Sequence, residues 1–332
     1  MWREARWHES ERALKLALLS TAGINAKLVA GARLVDEVEL VAIGSRDRAR
    51  AEAQAAELGV ERALGSYEEV LADPDVDAVY VPLPNSMHVE WSIRALEAGK
   101  HVLCEKPMSR RPEEVKRAFD AAERAGRVLA EGFMCRHHPQ ARRLVDLIPR
   151  VGELRLVRAA FSFPLGDPAD VRLSRELDGG ALMDVGCYCV SGSRLVAGEP
   201  LEVTGALVVG GDGVDTRFTA TLRFPGVILG HFDCALDLAA RDELEVVGSE
   251  GSLFLDDPWH SREPVIEVRG SDGSVERVKA EPENPYACEL RDLAAAVAGE
   301  RPPLLGRDDA LGQARTIAAL YESAASGRAV AL

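Results

Sequence analysis

Three side chains in this 332-residue chain have the types and spacing to manage a proton on a carbon-bound oxygen. Lys106 stands in Glu105-Lys106-Pro107, directly after the apolar run His101-Val102-Leu103-Cys104. A lysine at the C-terminal end of a strand lies where open α/β sheets keep their ligands. There its ammonium can hold a hydroxyl, and cationic or apolar neighbours would lower its pKa into a useful range. Asp184 and Tyr188 are spaced i, i+4, so on a helix they share one face. A phenol with a pKa of about 10 is a proton donor at neutral pH. That suits reduction of a carbonyl at least as well as oxidation of an alcohol. Glu105 either orients Lys106 and its side of the pocket or serves the fold alone.

Positioning these groups takes a sheet. Leu14–Leu19, Val38–Ile43, Ala78–Pro82, Val102–Cys104 and Val128–Ala130 read as strands. Between them, 26–34, 48–58, 67–71 and 89–98 read as helices. Such alternation implies a parallel sheet with right-handed crossovers. Beyond it the pattern changes to strands at 154–163, 201–209, 216–224, 227–236, 243–247 and 265–268, with hairpin breaks at Gly210-Gly211-Asp212-Gly213 and Pro225-Gly226. Helices are expected at 181–196, 285–297 and 308–325. The fold class is therefore α/β: an N-terminal Rossmann doubly wound parallel sheet with a C-terminal α+β domain on an open, mainly antiparallel sheet. The expected domains are 1–133, with a polar arm over 1–13, and 134–332.

The first βα turn is Ser20-Thr21-Ala22-Gly23-Ile24-Asn25. A dinucleotide fingerprint has glycine where this chain has Ser20, Ala22 and Asn25. The physical requirement is backbone amides and a helix N-terminus facing a phosphate, which serine or alanine can also meet. The second strand ends Gly44-Ser45-Arg46-Asp47. An acidic strand tip would bind ribose hydroxyls and select NAD. Arg46 instead suits a 2′-phosphate, which tips the choice slightly towards NADP; Asp47 reaching the ribose keeps NAD open.

Composition bounds the partners. Net charge is −14, from 54 acidic and 40 basic residues, which disfavours nonspecific binding to nucleic acid or anionic membrane. No apolar run approaches the roughly 20 residues of a membrane span. The six cysteines are scattered, and Cys187-x-Cys189 lacks the second pair a structural metal site needs, so no metal is expected. Reduced thiols and a cytoplasmic location fit this pattern.

Val81-Pro82-Leu83-Pro84-Asn85-Ser86-Met87-His88, Glu105-Lys106-Pro107 and Gly179-Gly180-Ala181-Leu182-Met183-Asp184-Val185-Gly186-Cys187-Tyr188 occur in that order. Together they resemble the Gfo/Idh/MocA family of nicotinamide-dependent sugar and polyol oxidoreductases, from Leu14 to about Leu332. The resemblance implies that Pro82, Asn85 and His88 line the nicotinamide and its ribose, with Val81 departing from the family's threonine. It implies that Lys106, Tyr188 and Asp184 are catalytic; family members commonly carry histidine at the Tyr188 position, and many carry tyrosine. Arg136 lies in a segment that crosses to the substrate side, where it contacts substrate or cofactor or forms a salt bridge. Arg172 is placed to reach substrate hydroxyls. The second sheet is expected to join subunits into a homodimer or homotetramer. Two other readings stay open: a trans-dihydrodiol-type dehydrogenase, and a non-catalytic NAD(P) or sugar sensor on the same fold.

Overall fold

The computed structural model describes residues 12–211 and 213–332. Most of the expected arm over 1–13 lies outside the described residues. The first half runs β1 (Leu14–Leu19), α1 (Asn25–Ala32), β2 (Val38–Gly44), α2 (Arg48–Leu58), β3 (Arg62–Leu64), α3 (Tyr67–Ala72), β4 (Ala78–Val81), α4 (His88–Glu97), β5 (His101–Glu105), α5 (Pro112–Ala125) and β6 (Leu129–Gly132). Its sheet is parallel throughout, in the order β3-β2-β1-β4-β5-β6. Strand order reverses between β1 and β4, and there the C-terminal strand ends open a crevice. Leu16, Ala17, Leu18 and Leu19 are all fully buried, as a strand covered by helices on both faces must be.

Two helices, α6 (Met134–His137) and α7 (Pro139–Leu147), lead into the second sheet. It contains β7 (Leu154–Ser162), β8 (Glu202–Val209), β9 (Asp215–Arg223), β10 (Leu229–Ala235), β11 (Arg241–Gly248), β12 (Gly251–Leu255), β13 (Val265–Gly270), β14 (Val275–Lys279) and β15 (Val330–Ala331). The order is β14-β13-β12-β11-β7-β10-β9-β8-β15. All pairs are antiparallel except β7 with β10. Between β7 and β8 comes a π-helical turn, Leu182–Gly186, continuing into α8 (Cys187–Ala197). Along β9 burial alternates: Phe218, Ala220 and Leu222 face the core and Thr219, Thr221 and Arg223 face out. That is the period-2 pattern of a sheet with one covered face.

The last helices, α9 (Pro285–Val297) and α10 (Arg307–Ser326), tie the halves together. α9 packs on α1, where a side chain at Gly31 would meet Tyr286 Cβ at 2.7 Å. α10 contacts both α5 and β8. The strands β3, β12, β14 and β15 are additions to the sequence expectation. β3 and β15 are too short to show alternation, and β12 and β14 are hairpin partners recruited by neighbours.

Candidate active site

A cleft of about 1400 Å³ opens at the C-terminal ends of β1, β2, β4 and β5 and is closed on its other side by β7, β11 and the segment after β12. Its two ends differ in chemistry.

At the first end lie Ser20, Thr21, Ala22, Gly23, Ile24, Ser45, Arg46 and Pro82. Ser20 adopts φ 139°, a region glycine favours, at the fingerprint's first glycine position. Its Oγ accepts from the Ala22 amide at 3.2 Å and donates to the Pro82 carbonyl at 3.3 Å, so side-chain hydrogen bonds hold the turn. Among the described residues the Thr21 and Gly23 amides have no protein acceptor, and Gly23 faces open space. Asn25 does not line the cleft. It is buried, donating to the Ser20 carbonyl and to Gln54, both at 2.8 Å, and braces the turn from inside. Asp47 is committed as the α2 N-cap, accepting from the Ala49 and Arg50 amides at 3.0 and 3.3 Å. Lys27, Arg46 and Arg50 line this end, and among the described residues none has a carboxylate oxygen within 4 Å. Open turn amides, a capped-off aspartate and three free cations fit a dinucleotide carrying an extra phosphate.

His88 lines the cleft, as expected, from a buried position. It is 1 % exposed, and its two ring nitrogens lie 2.9 Å from the Pro107 carbonyl and 2.7 Å from the Leu83 carbonyl. It bridges the turns after β4 and β5, and burial lowers its pKa to about 4, so the neutral ring donates to one of the two carbonyls. Asn85 lines the cleft and reaches across it, donating to the Asp178 carbonyl at 2.8 Å. Arg111 holds the Asp178 carboxylate with two bonds, and Arg110 adds a third contact at 2.8 Å, so the loop before α8 is pinned to the first half.

At the centre, Lys106 Nζ donates to the backbone carbonyl of Asp184 at 2.8 Å and to its carboxylate at 3.2 Å. The other carboxylate oxygen of Asp184 accepts from Arg172 at 2.9 Å. The Lys106 ammonium also lies 4.9 Å from the centre of the Tyr188 ring. Burial works to lower the pKa of Lys106, but Asp184, Cys187 and Glu105 outweigh it and the net shift is upward. This corrects the expectation of a depressed lysine: Lys106 is held as an ammonium. Burial pushes Tyr188 well above its ordinary value, so it stays a neutral phenol. Its hydroxyl touches Met134 Sδ at 3.5 Å, and its ring packs edge-on against Phe133 and Phe161. Glu105 receives the Tyr80 hydroxyl and the Lys106 amide, and burial raises its pKa.

Gly179 lines the cleft, and neither Gly179 nor Gly180 has room for a side chain. A side chain at Gly179 would meet the Arg172 carbonyl at 2.3 Å, and Gly180 has φ 123° and faces Asp215. Arg136 is turned away from the cleft: it donates to Ser191 Oγ at 2.9 Å and pairs with Asp309 at 3.5 Å, the salt-bridge alternative. Sequence reasoning missed Lys27, Arg50, Phe161, Asp242, His260 and Arg262 as cleft residues. Only Arg50 carried a hint, one helical turn after Arg46.

Fold and site define a Rossmann-type dinucleotide-binding protein with an appended open sheet. Residues 20–133 match the GFO/IDH/MocA profile, described as an oxidoreductase family with an NAD-binding Rossmann fold, and residues 139–254 match a GFO/IDH/MocA C-terminal domain. The chain belongs to the Gfo/Idh/MocA oxidoreductase family. It is 39% identical over 327 residues to a D-xylose 1-dehydrogenase (NADP(+)) of Haloferax volcanii, covering 96% of this chain and 100% of that protein. The crystal structure of an aldose-aldose oxidoreductase from Caulobacter crescentus, complexed with glycerol, superposes with a TM-score of 0.89 at 28% identity, covering 97% and 100% of the two chains. A 3-ketoreductase from Actinomadura kijaniata, in complex with NADP and TDP-benzene, gives 0.88 at 31% identity, covering 94% and 98%.

Proposed function

We propose that the protein is an NAD(P)-dependent oxidoreductase, with NADP preferred, that moves a hydride between the nicotinamide and a carbinol or carbonyl carbon of a sugar, sugar derivative or cyclic polyol. The observation that carries this reading is the Lys106–Asp184–Arg172 chain beside Tyr188, at the centre of a cleft whose first end suits a dinucleotide. The dinucleotide, when bound, supplies or accepts the hydride. Ser20–Ile24 cradle its phosphates, Arg46 with Lys27 and Arg50 takes the 2′-phosphate, and Pro82 and Asn85 border the nicotinamide ribose. Lys106 holds the reacting oxygen, Tyr188 exchanges its proton, and Asp184 fixes Lys106 and a substrate hydroxyl. Arg172 reaches the substrate beside Asp184. Arg172, Asp184, Asp242, His260 and Arg262 offer polar groups that suit a sugar's hydroxyls, beside the apolar Met134, Phe161 and Phe163.

In this reading residues 1–133 form the dinucleotide domain and 134–332 the substrate and assembly domain. The outer face of the second sheet, with Val208 and Leu229 exposed, joins subunits into a homodimer or homotetramer. Among the described residues no helix is long and apolar enough to cross a membrane. All six cysteines are free and buried, which supports a reducing, cytoplasmic setting. The functional test is a screen of sugars, polyols and glycosides with NADP and NAD, followed by the absorbance of the reduced nicotinamide. Turnover with NADP is expected; failure of both dinucleotides to bind in calorimetry would remove the reading.

A further inference from the structure

The substrate end of the cleft has no free cation to offer a phosphate. Among the described residues its positive groups are already paired: Lys106 and Arg172 with Asp184, Arg241 with Asp233, and Arg262 with Asp257 and Asp242. Lys27, Arg46 and Arg50, the cations without a carboxylate partner, all lie at the other end. Asp256 adds an exposed negative charge to the substrate wall.

The same wall holds an oriented imidazole. His260 Nδ1 lies 2.6 Å from Asp242 Oδ2, and Asp242 Oδ1 accepts the Trp259 amide at 3.2 Å, so the aspartate is itself fixed. With Nδ1 committed to this carboxylate, Nε2 is the ring nitrogen left to meet a ligand. Among the described residues Nε2 has no protein partner, and the side chain is 30 % exposed at the cleft. The Phe161 ring connects this group to the reaction centre, edge-on to Tyr188 at 5.4 Å and to His260 at 5.6 Å. Asp242, Asp257 and His260 also lie close enough to share a metal ion, but Arg262 already pairs with both carboxylates.

We propose that the substrate is an unphosphorylated saccharide, one non-reacting hydroxyl of which hydrogen-bonds to His260 Nε2, with Asp242 as the positioning residue behind the imidazole. The proposal rests on the oxidoreductase reading above and narrows its substrate. A sugar phosphate or nucleoside diphosphate sugar would bring negative charge to a wall that has no spare cation.

The test has two arms on the full-length enzyme, after dinucleotide affinity has been measured alone. The first compares kcat/KM for free sugars, their phosphates and dTDP-sugars; free sugars should exceed both charged classes by about tenfold or more. The second compares deoxy analogues of the best sugar in wild type, His260→Ala, His260→Gln and Asp242→Asn. One analogue should cost wild type about tenfold in kcat/KM and cost His260→Ala nothing further, the mark of a direct contact. His260→Gln should restore part of that discrimination, Asp242→Asn should weaken it, and dinucleotide affinity should stay constant in all. Higher efficiency with a phosphorylated class, or full deoxy discrimination retained by His260→Ala, would overturn the proposal. Dinucleotide binding without turnover of any saccharide class would instead contradict the functional reading, and this inference with it.

Discussion

Lys106 and Asp184, 78 residues apart in sequence, meet through two contacts: the ammonium donates to the aspartate's backbone carbonyl and to its carboxylate. The first contact fixes the end of β5 against the π-helical turn, and the second sets the charge. Asp184, with Cys187 and Glu105, outweighs the effect of burial on Lys106, so in the proposed reaction the lysine is a hydrogen-bond donor and positive charge rather than a base. The proposal accordingly gives the proton exchange to Tyr188, a neutral phenol.

Substitution at these two positions separates chemistry from binding. Lys106→Met and Tyr188→Phe should each lower turnover by about 10²–10⁴-fold while dinucleotide affinity changes little. Tyr188→Phe keeps the edge contacts to Phe133 and Phe161 and gives up a contact to a sulfur, so its fold should persist. Single-turnover kinetics check this. Near-full turnover in Tyr188→Phe would move the proton role to Lys106.

Cofactor choice should follow Arg46. A lost charge-assisted bond to phosphate is worth about 1.5–3 kcal/mol, and an exposed site takes the lower part of that range. Arg46→Ala should weaken NADP about tenfold and leave NAD nearly unchanged, as read by calorimetry with both dinucleotides. Equal losses for the two would remove Arg46 from the 2′-phosphate.

Glu131 gives the fold a pH dependence of defined sign. It is 1 % exposed, and burial raises its pKa from the ordinary 4.5 to about 8, although Oε1 accepts the Met108 amide at 2.7 Å. The folded chain thus keeps a proton that the unfolded chain releases. This group's contribution is fully present below about pH 4.5 and is lost progressively as pH rises to about 8. Glu131→Gln keeps an acceptor for Met108 and cannot ionise. Its Tm should exceed that of wild type by about 2 °C or more above about pH 8, and the gap should shrink towards about pH 5. A gap that is constant across this range would contradict the assignment.

Assembly is checked by light scattering at micromolar concentration, where a dimer or tetramer is expected. Replacing Val208 and Leu229 by lysine should shift the mass towards monomer, because both lie on the outer sheet face.

The architecture was legible in the sequence because its signals are local. Leu14–Leu19 reads as a doubly buried strand, and 285–297 is bounded by an Asn284 cap and Pro285. Strand-end and helical spacing singled out Lys106, Asp184 and Tyr188, and the three meet at one cleft. Other features depend on contacts between distant segments. Nothing near His88 announces that two carbonyls, from Leu83 and Pro107, enclose it. Arg136 faces Ser191 and Asp309, which only folding brings near. Gly179 and Gly180 are required by the close approach of Arg172 and Asp215. The shift of Lys106 was misjudged because burial is outweighed by charges that include Asp184, 78 residues away.

The central claim is direct hydride transfer at the cleft that Lys106 and Tyr188 share. Its most direct test uses NADPH carrying deuterium at the transferable nicotinamide position, incubated with the enzyme and a carbonyl form of the best sugar. Mass spectrometry of the alcohol product reads the outcome. The account predicts one deuterium on the newly reduced carbon, and none when Lys106→Met replaces the wild type over the same interval. A product whose new carbon-bound hydrogen comes from solvent would contradict it.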